Sequence, residues 1–177
     1  MKTLLLFLLL PIFLTAHPHV FIKTNLNFIV KKEKVSKLNI LWSFDDMSSE
    51  MFMMDYDKNR DKKLSKKEIQ KFKKTWFNKL SKKHYFTHLK VDGKKIDIFK
   101  HIEDFTLDYK KNFFIVKFTI DFEKIKQKKS ITLTFWEDNH YNSFSINDLT
   151  YKGKELKTTV DFLFGELFVT DIVEIKL

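Results

Sequence analysis

Apolar and polar residues alternate along most of the chain, as expected for strands with one buried face. In the first such segment Val20, Ile22, Leu26, Phe28 and Val30 share one parity, whereas lysines and asparagines occupy the other. The alternation predicts a half-buried strand here. His17 and His19, just before this strand, share the polar parity and are predicted to face solvent.

The same period predicts further strands over most of the remaining chain. The clearest are 35–44, with Leu38, Ile40, Trp42 and Phe44 inward, 113–122, with Phe114, Val116, Phe118, Ile120 and Phe122 inward, and 130–136. Weaker patterns predict strands at 86–91, 94–98, 103–109, 142–150, 158–164 and 167–176. Asp92-Gly93 and Lys152-Gly153 are typical of hairpin turns. Short strands at this spacing predict a mainly β fold, an antiparallel β-sandwich-like domain.

A helix-loop-helix interrupts the strands at about 45–83. Met47, Met51 and Met54 recur at helical spacing, and a second apolar helical pattern follows beyond a polar gap. A methionine stripe of this kind could hold Cu(I), but it is typical first of core packing, which we therefore predict.

The polar gap matches the twelve-residue EF-hand calcium loop. Its oxygen ligands would be the side chains of Asp57, Asn59, Asp61, Ser65 and Glu68 and the backbone carbonyl of Lys63. The position that is normally glycine, because its φ is positive, is Lys62, which costs about 1 kcal/mol of backbone strain. The loop therefore predicts a weak structural calcium site. The alternative is a surface turn in which Ser65 and Glu68 only cap the next helix.

Residues 1–16 have the form of a secretory signal peptide: Lys2, an apolar stretch and the small Ala16 at the cleavage position. Cleavage after Ala16 would leave 17–177 as a single β-rich domain in the periplasm. No later segment is long and apolar enough for a membrane helix, so the mature protein is predicted not to span the membrane.

Cleavage there would also create a chelating group, because His17 would carry both the free α-amine and an imidazole. His19 adds a third nitrogen, while Pro18 has no amide hydrogen to lose and so excludes a four-nitrogen square plane. His140, beside Asp138 at a strand end, is a candidate third ligand. Nitrogen donors of this kind suit Zn or Ni, with Co and Cu possible. The alternative is a terminus whose histidines do nothing; His84, His88 and His101 are interpreted as ordinary surface histidines.

Composition removes several classes of function. The formal net charge is +10, but no nucleic-acid-binding motif accompanies the lysines, and an exported chain rarely meets nucleic acid. Nucleic acid is therefore not expected as a partner. The absence of cysteine excludes disulfides, zinc–thiolate sites and iron–sulfur clusters.

The run from His17 to Ile22 directly after a signal peptide, together with the 57–68 loop and the β-rich remainder, resembles the exported ZevA-like family. Members are proteins of unknown function that are often labelled ABC-type substrate-binding components. The resemblance implies a periplasmic role in metal uptake, with an inner-membrane NicO-type nickel/cobalt or ABC-type permease as partner and zinc acquisition as a further association. Lys62 departs from the family's usual glycine.

The predicted function is therefore a non-enzymatic accessory protein that binds zinc, nickel or cobalt and delivers it to a permease. One alternative is an oxidative enzyme with a copper histidine brace, in which His140 supplies the second imidazole. The other is a calcium-stabilised interaction module in which the histidines are incidental. The pattern selects neither the metal, the permease nor the oligomeric state.

Overall fold

The computed structural model describes residues 20–137, 142–164 and 169–177. Its strands are β1 Val20–Lys31, β2 Lys34–Phe44, β3 Thr87–Val91, β4 Lys94–Ile96, β5 Ile102–Lys110, β6 Phe113–Asp121, β7 Ser130–Phe135, β8 Asn142–Lys152, β9 Lys157–Phe164 and β10 Val169–Lys176. Its helical segments are α1 Asp46–Tyr56, α2 Lys66–Thr75 and the 3₁₀ segments Phe77–Phe86 and Ile98–His101. The chain is mainly β, with α1, α2 and the longer 3₁₀ segment inserted between β2 and β3, which confirms the predicted fold class. None of the described helices is long and apolar enough to cross a membrane.

The described strands form two five-stranded sheets, ordered β5-β6-β2-β1-β8 and β4-β3-β7-β10-β9. Seven of the neighbouring pairs are antiparallel, as predicted, but β1 and β8 run parallel. A parallel pair needs a long crossover, and here the chain from β2 to β7 provides it. The parallel pair departs from the predicted antiparallel arrangement. The alternation pattern could not reveal it, because parallel and antiparallel strands alternate with the same period.

The predicted inward faces form the core. On β2, Leu38, Ile40, Trp42 and Phe44 are at most 1% exposed. The Trp42 ring meets the Phe118 ring of β6 edge-on, with the ring centres 4.8 Å apart. Burial of these apolar side chains is the main favourable term in folding, and without cysteine no disulfide supplements it.

The methionine stripe of α1 does not pack in the core, so that prediction was wrong. Met47, Met51 and Met54 are 59%, 50% and 72% exposed. The helix instead turns serines to the sheet: the Ser49 hydroxyl donates to the Phe44 carbonyl (3.1 Å) and accepts from the Phe114 N–H (2.9 Å). A small, hydrogen-bonding residue lets the helix approach the sheet closely, and this sets its rotation.

One predicted turn is confirmed and one is wrong. Asp92-Gly93 joins β3 to β4 as a hairpin. Lys152-Gly153 instead leads from β8 in the first sheet to β9 in the second. Glycine is required there, because φ is +106° and a Cβ atom would lie 2.4 Å from the carbonyl oxygen of Val30.

Thr24 and Trp42 face each other across β1 and β2, and both are fully buried. Within the described ranges, neither the Thr24 hydroxyl nor the Trp42 indole N–H has a hydrogen-bond partner. A buried polar group without a partner costs about 1–3 kcal/mol in desolvation.

We expect Thr24→Val to raise the free energy of unfolding by about 1 kcal/mol, because valine has the same shape without the unpaired hydroxyl. The measurement is urea unfolding followed by circular dichroism. Thr119→Val is the matched control: its hydroxyl donates to the Asn39 side-chain oxygen at 3.0 Å, so this variant should be less stable than the parent. A loss of stability in both variants would contradict the interpretation of Thr24.

Candidate functional site

The predicted transition-metal ligands His17, His19 and His140, with Asp138, lie outside the described residues. The described chain resumes next to both of their segments, at Val20 and at Asn142. These two residues are register partners in the parallel β1–β8 pair. Val20 and Asn142, the first described residues after the two histidine-bearing segments, therefore lie side by side, although 122 positions separate them in the sequence.

Asp45 fixes the start of β1 to the start of α1. One of its carboxylate oxygens accepts from the Phe21 N–H at 2.7 Å, and the other accepts from the Ser48 N–H at 2.8 Å. Its own N–H donates to the Phe21 carbonyl at 2.9 Å. Asp45 is thus at once the N-cap of α1 and a tether for the strand that follows the predicted metal-binding terminus.

Burial alone would raise the pKa of the Asp45 carboxyl, but the hydrogen bonds from Ser48 and Phe21 outweigh it and hold the pKa below its ordinary value. A depressed pKa means that the folded state favours the carboxylate. Its stabilising contribution is therefore present above the unfolded pKa, about 3.9, and is lost as the pH falls through the folded value.

Glu137 holds the start of β8, as Asp45 holds the start of β1. Its side chain is nearly inaccessible, with 5% of the residue exposed. One oxygen accepts from the Asn142 amide at 2.6 Å and the other from the Lys83 ammonium at 2.9 Å. Through these two bonds the buried Glu137 carboxylate connects the first residue of β8 to the exposed Lys83 near the end of the 3₁₀ segment Phe77–Phe86.

The predicted calcium loop has the backbone that its sequence requires. Asp57, 6% exposed, accepts from the Lys62 N–H at 2.8 Å and from the Asp61 N–H at 3.3 Å. Lys62 has a φ of +60°, the left-handed conformation expected at the glycine position. The loop therefore makes the predicted turn and places the lysine in a strained conformation.

Glu68 holds the two ends of the loop together. One oxygen accepts from the Lys58 N–H at 2.8 Å, and the other accepts from the Ser65 hydroxyl at 2.7 Å. The reciprocal bond to Ser65 completes a capping box at the start of α2, as predicted. The Ser65 hydroxyl first, then the N–H groups of Ser65 and Lys58, lower the pKa of the Glu68 carboxyl.

The side-chain oxygens of the loop accept hydrogen bonds from donor groups of the loop itself. Asp61 accepts from the Lys63 N–H at 2.8 Å and from the Asn59 amide at 2.9 Å. Across the described ranges, no three His, Cys, Asp or Glu side chains converge in an arrangement ready to hold a metal. The backbone thus fits a calcium loop, and its acidic oxygens must turn inward before they can share one ion.

Sequence reasoning missed Asp45 and Glu137. Asp45 had a signal, because an aspartate three residues before a serine and just ahead of a helical pattern is a typical N-cap. Glu137 had no local signal: its partners Lys83 and Asn142 come from separate elements and are brought to it only by the fold.

We expect Asp45→Ala to lower the free energy of unfolding by about 1–2 kcal/mol at neutral pH, because it removes both the N-cap and the tether to Phe21. The difference from the parent should shrink as the pH falls through the folded pKa of Asp45. The measurement is thermal unfolding over a pH series, with hydrogen exchange of the Phe21 amide as a local probe. Asp46→Ala, at the next and exposed residue, is the control; equal effects of the two variants would refute the tether.

The comparison with known proteins gives a family and nothing finer. A family model described as "Protein of unknown function (DUF1007)" matches residues 3–160. No curated protein and no solved structure matches the chain. Because the match spans most of the sequence, the chain belongs to the DUF1007 family of proteins of unknown function.

Proposed function

We propose that this protein is a ZevA-like periplasmic accessory protein for transition-metal uptake. After cleavage behind Ala16, the α-amine and imidazole of His17 and the imidazole of His19 bind zinc, nickel or cobalt, and the ion passes to an inner-membrane NicO-type or ABC-type permease. Copper is a further candidate cargo, since the same nitrogen donors bind it.

The main support is the pairing of Val20 with Asn142. It brings together the two junctions beyond which the sequence carries His17 and His19 on one side and Asp138 and His140 on the other. A ligand set assembled from two segments needs such a meeting point. In this proposal His140 completes the site with a third side chain from the β8 segment.

The Asp45 tether gives the proposal a second support. A terminal chelate on a fraying chain loses conformational entropy when it binds an ion. Here the Phe21 N–H and carbonyl are both hydrogen-bonded to Asp45, so the chain is fixed within a few residues of His19. In this proposal the attachment of Phe21, two residues after His19, reduces the entropic cost of binding the ion.

We further propose a structural calcium ion bound by Asp57, Asn59, Asp61, Ser65, Glu68 and the Lys63 carbonyl. The left-handed Lys62 and the contact between Glu68 and Lys58 support it, because they already close the loop. Calcium would fix α1 at its C-terminal end, while Asp45 fixes it at the N-terminal end. The ion would thereby stabilise the helix that tethers the metal-binding strand.

The terminal site predicts that correctly processed protein binds about one equivalent of zinc or nickel, measured by calorimetry and elemental analysis. Affinity should fall below about pH 6, as the imidazoles and amine take up protons. His17→Ala with His19→Ala should weaken binding at least about tenfold. A chain with one glycine added before His17 keeps every side chain but moves the amine, so it isolates the contribution of the chelate.

Several results would contradict this function. Exported protein whose mass shows cleavage elsewhere than after Ala16 would lack the chelating amine. Unchanged affinity for zinc or nickel in the double variant would favour the alternative function, a calcium-stabilised interaction module. Redox-active copper in a T-shaped three-nitrogen site would instead favour the histidine-brace enzyme.

The calcium site predicts that Lys62→Gln and Lys62→Gly both bind calcium more tightly than the parent, because each removes one positive charge from the loop. Lys62 is already left-handed in the described loop, so relief of its strain by glycine, about 1 kcal/mol, should raise the melting temperature equally with and without calcium. The measurement is the shift in melting temperature with millimolar calcium against a chelator. A melting temperature unaffected by calcium in all three proteins would exclude the ion and leave the capping box as the function of Glu68.

A further inference from the structure

We propose that the edge strand β9 is the interface of a homodimer, in which β9 of one copy pairs antiparallel with β9 of a second copy. The two five-stranded sheets that end in β9 would then join into one continuous sheet. The interface uses none of the proposed transition-metal or calcium ligands. It therefore stands or falls independently of the function proposed above.

Three of the four strands at the sheet edges of the described structure are protected against pairing with another chain. β4 is three residues long and carries the exposed Lys94 and Lys95. β5 and β8 each have a register shift, typical of a β-bulge, against the strand beside them. Short length, lysines and bulges are the means by which proteins prevent association of sheet edges.

β9 is instead long and regular. Its eight residues pair with β10 without a register shift, and within the described residues β10 is its only neighbour. The Phe162 N–H donates to the Asp161 carboxylate at 2.7 Å, so it points to the open edge. Because these directions alternate along a strand, Thr158 and Val160 also direct their N–H and C=O groups to that edge.

β9 also exposes apolar side chains on the face that covers the core elsewhere in its sheet. Val160 lies opposite Val173 of β10 and therefore on the same face, yet Val160 is 51% exposed whereas Val173 is fully buried. Phe162 follows two residues later on this face and is 63% exposed. In the proposed dimer the Val160 side chains of the two copies are diagonal neighbours, and their contact removes apolar surface from water.

The charges of β9 favour a second copy in one register. Lys157 and Asp161 lie on the opposite face from Val160, two residues to either side of Thr159. Antiparallel pairing centred on Thr159 therefore places Lys157 of each copy opposite Asp161 of the other, about a two-fold axis. Neither side chain takes part in an ion pair within the described ranges. On its own sheet Lys157 lies opposite another cation, Lys176.

The backbone directions agree with that register. Thr158 of each copy would lie opposite Val160 of the other, and both direct hydrogen-bonding groups to the open edge, so each residue can donate and accept. Thr159 would lie opposite itself in a non-hydrogen-bonded pair. A pair centred on Val160 would leave both charges without a partner, and one centred on Asp161 would oppose two carboxylates.

The charge pairing can be tested by analytical ultracentrifugation, in which we expect the purified parent to form dimers as its concentration rises. Lys157→Asp and Asp161→Lys should each raise the dimer dissociation constant on the order of tenfold, because each replaces attractive pairs with repulsive ones. Lys157→Asp combined with Asp161→Lys makes the charges opposite again and should restore the dimer. Lys95→Asp, at the other edge of the same sheet, is the matched control and should change nothing.

The register can be tested with a disulfide, because the chain contains no cysteine. Thr159→Cys should link two copies in a glutathione redox buffer, since Cα atoms about 4.5 Å apart in a non-hydrogen-bonded pair suit a disulfide. Val160→Cys is the control, because its two copies would lie in diagonal positions roughly 7–8 Å apart. Both positions are exposed, and melting curves would show that the variants fold.

Monomers at every concentration into the millimolar range would overturn the proposal. So would a dimer that persists unchanged in both single charge variants, because its interface would lie elsewhere. A link that forms at Val160→Cys in preference to Thr159→Cys would contradict the register. Rescue by the charge-swapped double variant is the result that a merely destabilised strand could not produce.

Discussion

The position of β1 between two partners is the constraint on which the rest of the described structure depends. β1 pairs antiparallel with β2 and parallel with β8, and its inward side chains lie in the core. Hydrogen bonding on both edges fixes where the strand begins, and Asp45 adds a third attachment at Phe21. The position of Val20, where the described chain begins, is therefore fixed by backbone hydrogen bonds.

Aromatic packing connects the helices to this framework. The Phe52 ring of α1 lies between the Phe44 ring of β2, 5.0 Å away, and the Phe72 ring of α2, 5.6 Å away, with edge-on contacts to both. It also stacks on Phe114 of β6 at 4.8 Å. Such pairs contribute about 0.5–1.5 kcal/mol each beyond burial. The two helices are therefore fixed to the sheet by their middles, and the 57–68 loop needs only to join two ends that are already placed.

The sequence predicted which residues face inward far better than it predicted their partners. Alternation identifies the buried parity of β1, β2 and β6, because burial requires the period of two whichever strand lies alongside. The same alternation carries no information on direction, so the parallel β1–β8 pair and the sheet change at Gly153 were missed. The rotation of α1 was misjudged for a different reason: the hydrogen bonds of Ser49 to Phe44 and Phe114 outweighed the burial of a methionine stripe. The candidate metal and calcium ligands came from motif spacing, whereas the contacts of Asp45 and Glu137 depend on tertiary structure.

Many non-glycine residues of this chain have a left-handed backbone, so a positive φ alone does not indicate a functional site. It contains three glycines, so turns that glycine would usually form are made by other residues. Lys32 and Glu33, and likewise Lys111 and Asn112, have positive φ in tight links between adjacent antiparallel strands, where the strand twist demands it. Strain at those positions says nothing about function. The bend from His84 to Phe86 differs because it joins a 3₁₀ segment to a strand, and such a junction has no twist to match. Its result is the burial of the Tyr85 and Phe86 rings, which are 4% and 3% exposed, and this burial offsets the strain.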